Sequence, residues 1–233
     1  MTDQNFSQEE IDKFDGFAED WWDPNGSMRP LHLLNPLRCD YVKQHTQLNG
    51  ATLLDVGCGA GLFSEALAQD GAKVSAIDMS EGALKVAKEH AEKNKINISY
   101  VKSTAESYAQ QYTAQADIVT CMEMIEHVPD PSAIVQACAD AAKPGGVVFF
   151  STINRTLKGY FQAILGAEYL LRLLPKGTHE YAKFIRPSEL NKWAQNAGLE
   201  LLDLTGVGYN PVTELFKFKS DVSVNYLCCY TKR

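Results

Sequence analysis

Residues 53–61, reading Leu53-Leu54-Asp55-Val56-Gly57-Cys58-Gly59-Ala60-Gly61, run from a hydrophobic strand through an acidic residue into a glycine turn. Gly57, Gly59 and Gly61 have no Cβ, so the backbone can take unusual dihedrals and lie directly against a ligand, where a bulky side chain would fill the ligand's volume. Dinucleotide-binding folds also place glycines after their first strand, but in a G-x-G-x-x-G spacing that seats a pyrophosphate on the next helix. Here Leu62 takes the sixth position and Asp55 precedes the turn. A carboxylate there repels phosphate and favours an ammonium group, which suits a nucleoside with a cationic arm. A glycine-rich surface turn is the plain alternative.

Outward from this turn the chain alternates strand and helix as βα units do. Strands are expected at 52–56, 73–78, 98–102, 116–121, 146–152, near 199–205 and at 222–231. Helices are expected at 62–69, 81–93, near 105–111 and at 132–142, the last opened by Asp130 and Pro131, with a further helix capped by Ser188. The last two strands have no helical pattern between them and suit an antiparallel hairpin on the sheet edge. Ahead of the turn, Ser7 and Glu10 read as a capping box, with Phe6 and Ile11 as a hydrophobic staple. Phe14, Phe17, Trp21 and Trp22 follow at helical spacing as a flap on the core, and a second helix spans about Pro36 to Gln47.

The pattern DVGCGAG resembles the first motif of the class I S-adenosylmethionine-dependent methyltransferases, whose cofactor has a cationic aminopropyl end and no phosphate. The resemblance implies an α/β Rossmann-like fold: a mostly parallel seven-stranded sheet with an antiparallel edge strand and helices on both faces. The 233 residues suit one methyltransferase domain, with a helical cap over residues 1–50 and an insert at 155–186. A net charge of −7 argues against a nucleic-acid partner. Six cysteines without disulfide or zinc spacing fit a reducing compartment. No basic region followed by an apolar run opens the chain, and no stretch reaches the roughly 20 apolar residues of a bilayer span. The expected location is cytoplasmic.

Asp78 ends the second strand at the sheet edge where open α/β sheets bind ligands. It is expected to accept the ribose hydroxyls, or else to cap the helix that opens at Ser80. Ser103 to Glu106 could face the adenine, and Met122 could cover one purine face. After the fourth strand, Glu123, Glu126 and His127 stand at i, i+3 and i+4, so one helical turn would bring them to one side. Three readings stay open. The group could hold a hard divalent ion such as magnesium, His127 could be a general base beside an orienting carboxylate, or the residues could merely fasten the loop before Pro129.

The strings FDGFAEDWWDPNGSMRPLHLLNPLR, LLDVGCGAG, DIVTCMEMIEHVPDP and GAEYLLRLLPKGTHEYAKFIRPSEL together resemble the ubiquinone-biosynthesis O-methyltransferase family over nearly the whole chain. That resemblance implies cofactor contacts at Arg38, Gly57, Asp78 and Met122, to which the residue reading adds Asp55 and Gly59. It also implies a divalent-metal set at Glu123, Glu126 and His127, like that of the family's eukaryotic relatives. The implied reaction is methyl transfer from S-adenosylmethionine to a phenolic oxygen of polyprenyl catechol and demethylubiquinol intermediates, with other ubiquinone-biosynthesis proteins as partners. An O-methyltransferase for a soluble phenol and a noncatalytic scaffold are the alternatives.

Within the insert, Arg155, Lys158, Arg172, Lys176, Lys183 and Arg186 face only Glu168 and Glu180, a local charge of +4 between leucine-rich stretches. This composition suits a lid, or a peripheral contact with anionic lipid on the inner face of the membrane, with Arg172, Lys176 and Lys183 as the contact residues.

Overall fold

The computed structural model describes residues 5–159 and 181–233; most of the insert, with Arg172 and Lys176, lies outside them. Five parallel strands form the frame: β1 (Thr52–Val56), β2 (Lys73–Asp78), β3 (Ile98–Lys102), β4 (Ala116–Met122) and β5 (Ala142–Ile153). They are joined by α3 (Leu62–Gln69), α4 (Glu81–Lys93), α5 (Ala105–Gln111) and α6 (Pro131–Ala141), after α1 (Gln8–Asp15) and α2 (Arg29–His45). Side chains alternate across the sheet, as strand geometry requires. Leu53, Val74, Ile118 and Phe149 pack toward α2, α3 and α4, whereas Leu54, Ile77, Val119 and Phe150 pack toward α5 and α6. Burial on both faces explains why these strands read as continuous apolar runs. The adjacent Cys228 and Cys229 divide between the two cores, and all six cysteines are buried and unpaired.

Beyond β5 the sheet departs from expectation. Among the described residues it has eight strands in the order β3-β2-β1-β4-β5-β8-β6-β7, with β6 (Leu199–Asn210), β7 (Leu215–Lys219) and β8 (Asn225–Lys232). The antiparallel strand β8 lies between β5 and β6 instead of at the edge, and the hairpin joins β6 to β7. The extra strand, Leu215-Phe216-Lys217-Phe218-Lys219, is a short alternating edge strand whose lysines blunt further pairing.

Two helix starts also differ. Helix α2 begins at Arg29 and carries Pro36 in its interior, where the missing N–H should break a helix. Buried Leu34, Asn35 and Arg38 hold it in place, Asn35 Nδ2 donating to the Leu62 carbonyl at 3.2 Å. After the turn α7 (Leu157–Gly159), helix α8 (Pro187–Asn196) packs on the α5–α6 side. It is capped at Arg186, whose N–H donates to Glu189 at 2.9 Å, so Ser188 is not its cap. No helix among the described residues is long and apolar enough to cross a membrane.

The chain winds outward from β1 in one direction and from β4 in the other, and ligands bind at the carboxyl ends of strands at such a switch point.

Candidate active site

A cavity of about 580 Å³ opens where β1, β2 and β4 end. Gly57 (φ +73°) and Gly59 (φ +53°) turn the chain across its floor in the left-handed region that disfavours a side chain. A Cβ on Gly57 would lie 2.4 Å from Met124 Cγ, and one on Gly59 2.4 Å from Trp21 Cζ2. The sequence led us to expect ligand volume at these points, whereas two protein side chains press on the turn.

Asp55 is 2% exposed and ties three elements together. Its Oδ2 accepts from Ser64 Oγ of α3 at 2.5 Å and its Oδ1 from Thr120 Oγ1 of β4 at 2.7 Å. Burial pushes its carboxyl up, opposed by these two hydroxyls and by Arg38. Asp55 therefore holds the wall together, with both carboxyl oxygens engaged. Asp78, at the end of β2, accepts the Gly59 N–H and the Ser80 N–H, each at 2.8 Å. It is not the cap of α4, because Ser80 Oγ accepts from the Ala83 N–H at 2.9 Å in that role. Each Asp78 oxygen keeps a second lone pair, so a ribose can still be bound. Ser103 to Glu106 and Met122 line the same cavity.

Glu123, Glu126 and His127 do not share one helical face. Glu123 has φ +47°, which breaks the chain before the single 3-10 turn Ile125–His127. The three side chains then part. Glu123 forms an ion pair with Arg38 and accepts from Ser151 Oγ at 2.7 Å. Glu126 is 3% exposed and accepts from Thr152 Oγ1 of β5 at 2.9 Å, and burial pushes its carboxyl up. His127 lines the cavity with its Nδ1 3.0 Å from Glu10 Oε2. Arg38 is 5% exposed, and burial pushes its guanidinium down to about 10. Among the described residues no three His, Cys, Asp or Glu side chains converge as metal ligands. The expected set does not fit a divalent ion in this arrangement, since Glu123 would have to leave Arg38 and His127 would have to leave Glu10.

Glu10 is the residue the sequence did not mark for this site. Ser7 Oγ accepts the Glu10 N–H at 3.4 Å, but the Glu10 carboxylate bridges His127 and Lys183 Nζ, each at 3.0 Å, and does not turn back to the cap. The His127 hydrogen bond, with help from Lys183, holds Glu10 down at about 2. Phe14 meets the His127 ring edge-on at 5.2 Å. The rest of the N-terminal segment closes over the cavity. Asn5 Nδ2 donates to Glu106 at 2.7 Å, Trp22 Nε1 donates to the Ala60 carbonyl at 3.0 Å, and Trp22 stacks on His90 at 3.4 Å.

Three of the four described basic residues at the borders of the insert have acidic partners outside it: Lys183 with Glu10, Arg155 with Glu189, and Lys158 with Asp221. The local charge of +4 is thus partly neutralised by the fold, and Lys183 is committed to the cap.

Residues 36–204 match the family model described as a methyltransferase domain. The chain resembles the ubiquinone biosynthesis O-methyltransferase of Coxiella burnetii (strain RSA 331 / Henzerling II) at 53% identity, over 99% of this chain and 98% of that protein. Among solved structures, magnesium protoporphyrin IX methyltransferase from Synechocystis PCC 6803 with bound SAH aligns with a TM-score of 0.71 at 17% identity, over 97% of this chain and 99% of that one. A possible histamine N-methyltransferase from Thermotoga maritima aligns at 0.69 and 19% identity, over 96% and 99%. The acceptors named for those two differ, so the shared fold does not choose an acceptor. The near full-length match to the Coxiella protein is closer, and the chain belongs to the ubiquinone biosynthesis O-methyltransferase family.

Proposed function

We propose that the protein transfers a methyl group from S-adenosylmethionine to the phenolic oxygen of polyprenyl catechol and demethylubiquinol intermediates. The observation that carries this reading is the cavity at the β1/β4 switch point, with a Cβ-free turn, Asp78 and buried Arg38 on one side and His127 on the other. The cofactor fits this chemistry: the Gly57–Gly59 turn borders the cavity, Asp78 suits a ribose and Arg38 a carboxylate. When bound, it supplies a methyl group activated on a sulfonium, which needs an ionised phenolic oxygen in line.

A phenol has a pKa near 10, so about one molecule in a thousand is ionised at neutral pH. His127 takes the phenolic proton. Its Nδ1 proton is donated to Glu10, which selects the tautomer with its basic lone pair on Nε2. The cap excludes water from the reacting oxygen, which strengthens the local electrostatics. Assay of both catechol and demethylated quinol acceptors tests the reading, with methylation of each expected and methylation of neither overturning it. Turnover that survives chelation is expected of His127 as base. A loss restored by magnesium would mean that Glu123, Glu126 and His127 regroup around an ion.

Peripheral contact with anionic lipid on the inner face of the membrane belongs to the same proposal and now rests on Arg172 and Lys176. Each basic residue near such a surface contributes about 1 kcal/mol. Replacing both with glutamate should release the protein from anionic vesicles in co-sedimentation; equal binding of variant and wild type would reject the contact.

A further inference from the structure

The cavity also includes a groove whose two walls come from parts of the chain far apart in sequence. One wall is the N-terminal turn of α2, with Leu31 and Leu34; the other is the β6–β7 hairpin, with Val207, Tyr209 and Phe216. Tyr209 and Phe216 are partners in the β6–β7 register, and their rings lie 4.8 Å apart. Lys219 also borders the cavity, with its stem and ammonium over Gly208, where an added Cβ would be 1.8 Å from Lys219 Cε and 2.1 Å from its Nζ. The groove walls are therefore mainly apolar, with Lys219 and Asn225 as polar groups at the border.

Exposed apolar side chains lie next to it. Beside Pro211, which lines the cavity, Val212 is 90% exposed and Leu215 53% exposed. Single exposed apolar residues are ordinary, but Val212 follows Pro211 and Leu215 precedes Phe216, and both of those neighbours line the cavity. Arg29 Nη2 of α2 meets Glu214 Oε2 of the hairpin at 2.5 Å. Such a surface ion pair holds the walls together weakly and opens at little cost.

We propose that this groove seats the isoprenoid tail of the acceptor, so that the β6–β7 hairpin sets the preference for a prenylated over a bare phenol. The inference rests on the reading of the acceptor as a prenylated phenol. It gives the extra edge strand a purpose: β7 places Phe216 against the tail, and Val212 and Leu215 offer a dry entrance. An apolar chain laid between such walls loses its water contact, while the phenolic end stays at His127.

The test compares kcat/KM for a catechol with a three-isoprene tail and for the same catechol without a tail, in wild type, Phe216→Ala and the double variant Val212→Asp/Leu215→Asp. Wild type should favour the tailed acceptor at least tenfold. Both variants should reduce that ratio at least fivefold, chiefly by raising KM for the tailed acceptor, with S-adenosylmethionine affinity by calorimetry held. The double variant alters only exposed side chains and so guards against a folding defect in Phe216→Ala. Equal losses on both acceptors, or an unchanged ratio in both variants, would overturn the groove. A wild type that gains nothing from the tail would instead sink the prenylated-acceptor reading, visible before any variant is made.

Discussion

At the strand ends, Asp55 and Asp78 each accept two hydrogen bonds from groups of the sheet and of the turns and helix next to it: Asp55 from Ser64 of α3 and Thr120 of β4, Asp78 from the Gly59 and Ser80 N–H groups in the turns after β1 and β2. Across the cavity, the N-terminal cap is held by side-chain ties, Glu10 to His127 and Lys183, Asn5 to Glu106 and the Asp130 backbone, Asp15 to Ser80 and Gly82, and Trp22 to Ala60, and by an apolar cluster of Trp21 and Met28 on Ala60 and Ala83. The first wall is part of the core and the second is laid on it. If either wall moves to admit a cofactor it should be the second, because lifting the first would break the sheet. Local stability differs across a fold in this way, and elements that move are drawn from its weaker end.

The largest effect should come from the rigid wall. Gly57→Val forces a β-branched residue into a left-handed φ and drives its Cβ into Met124. Backbone strain costs about 1–3 kcal/mol and overpacking about as much again. Denaturant titration should show this loss, and calorimetry should show cofactor affinity falling at least a hundredfold. Normal affinity in a folded variant would mean that the turn does not touch the cofactor.

Next come the groups where the walls meet. His127→Ala should lower turnover by about 10²–10⁴ while sparing cofactor binding, and Glu10→Gln should lower it less, because the imidazole stays but loses its orienting charge. Glu10 also predicts a pH dependence. Its carboxyl is held at about 2 against an ordinary 4.5, so the stability it adds is fully present above 4.5 and is lost as pH falls from there toward 2. In full this would be about 3 kcal/mol, and solvent screening reduces it to about 1–2. Acid unfolding of wild type and Glu10→Gln should therefore converge below that window. Parallel curves throughout would show that the Glu10 tie adds nothing.

Asp78→Ala should weaken S-adenosylmethionine by about 1–3 kcal/mol. It should also cost stability, since the Gly59 and Ser80 N–H groups lose their acceptor. Unchanged affinity would leave Asp78 as a tie within the wall only.

The rigid wall was legible in the sequence because its residues are neighbours along strands with strong patterns. The segments 52–56, 73–78 and 98–102 stand where the apolar runs place them, and Asp55, the glycines and Asp78 follow from their ends. The cap was not. Glu10 and His127 lie 117 residues apart, and a glutamate at the third position of a helix is sufficiently explained by capping. The expected clustering of Glu123, Glu126 and His127 failed at one backbone angle, the positive φ of Glu123, which spacing does not reveal. Likewise β7 was hidden because its alternating Phe and Lys residues lack the apolar density of the central strands.

The smallest expected effect tests whether the cap is a detachable wall at all. Trp22→Phe keeps an aromatic ring over His90, which Trp22 stacks against at 3.4 Å with an interplanar angle of 9°. It removes the indole N–H that donates to the Ala60 carbonyl, in the middle of the glycine turn, and part of the ring surface packed on His90 and His32. One neutral hydrogen bond is worth about 0.5–1.5 kcal/mol, and the lost ring surface adds to the fall in unfolding stability. If the bond helps hold the cap down over bound cofactor, stopped-flow measurement should show S-adenosylmethionine leaving about two to ten times faster, because the step that releases it is the lifting of this segment. The association rate should rise as well, since the same segment must lift for entry, and the equilibrium affinity should change less than either rate. A variant with faster release but an unaltered association rate would show that Trp22 steadies the turn against the cofactor without gating it, and would leave the cap as fixed as the wall it faces.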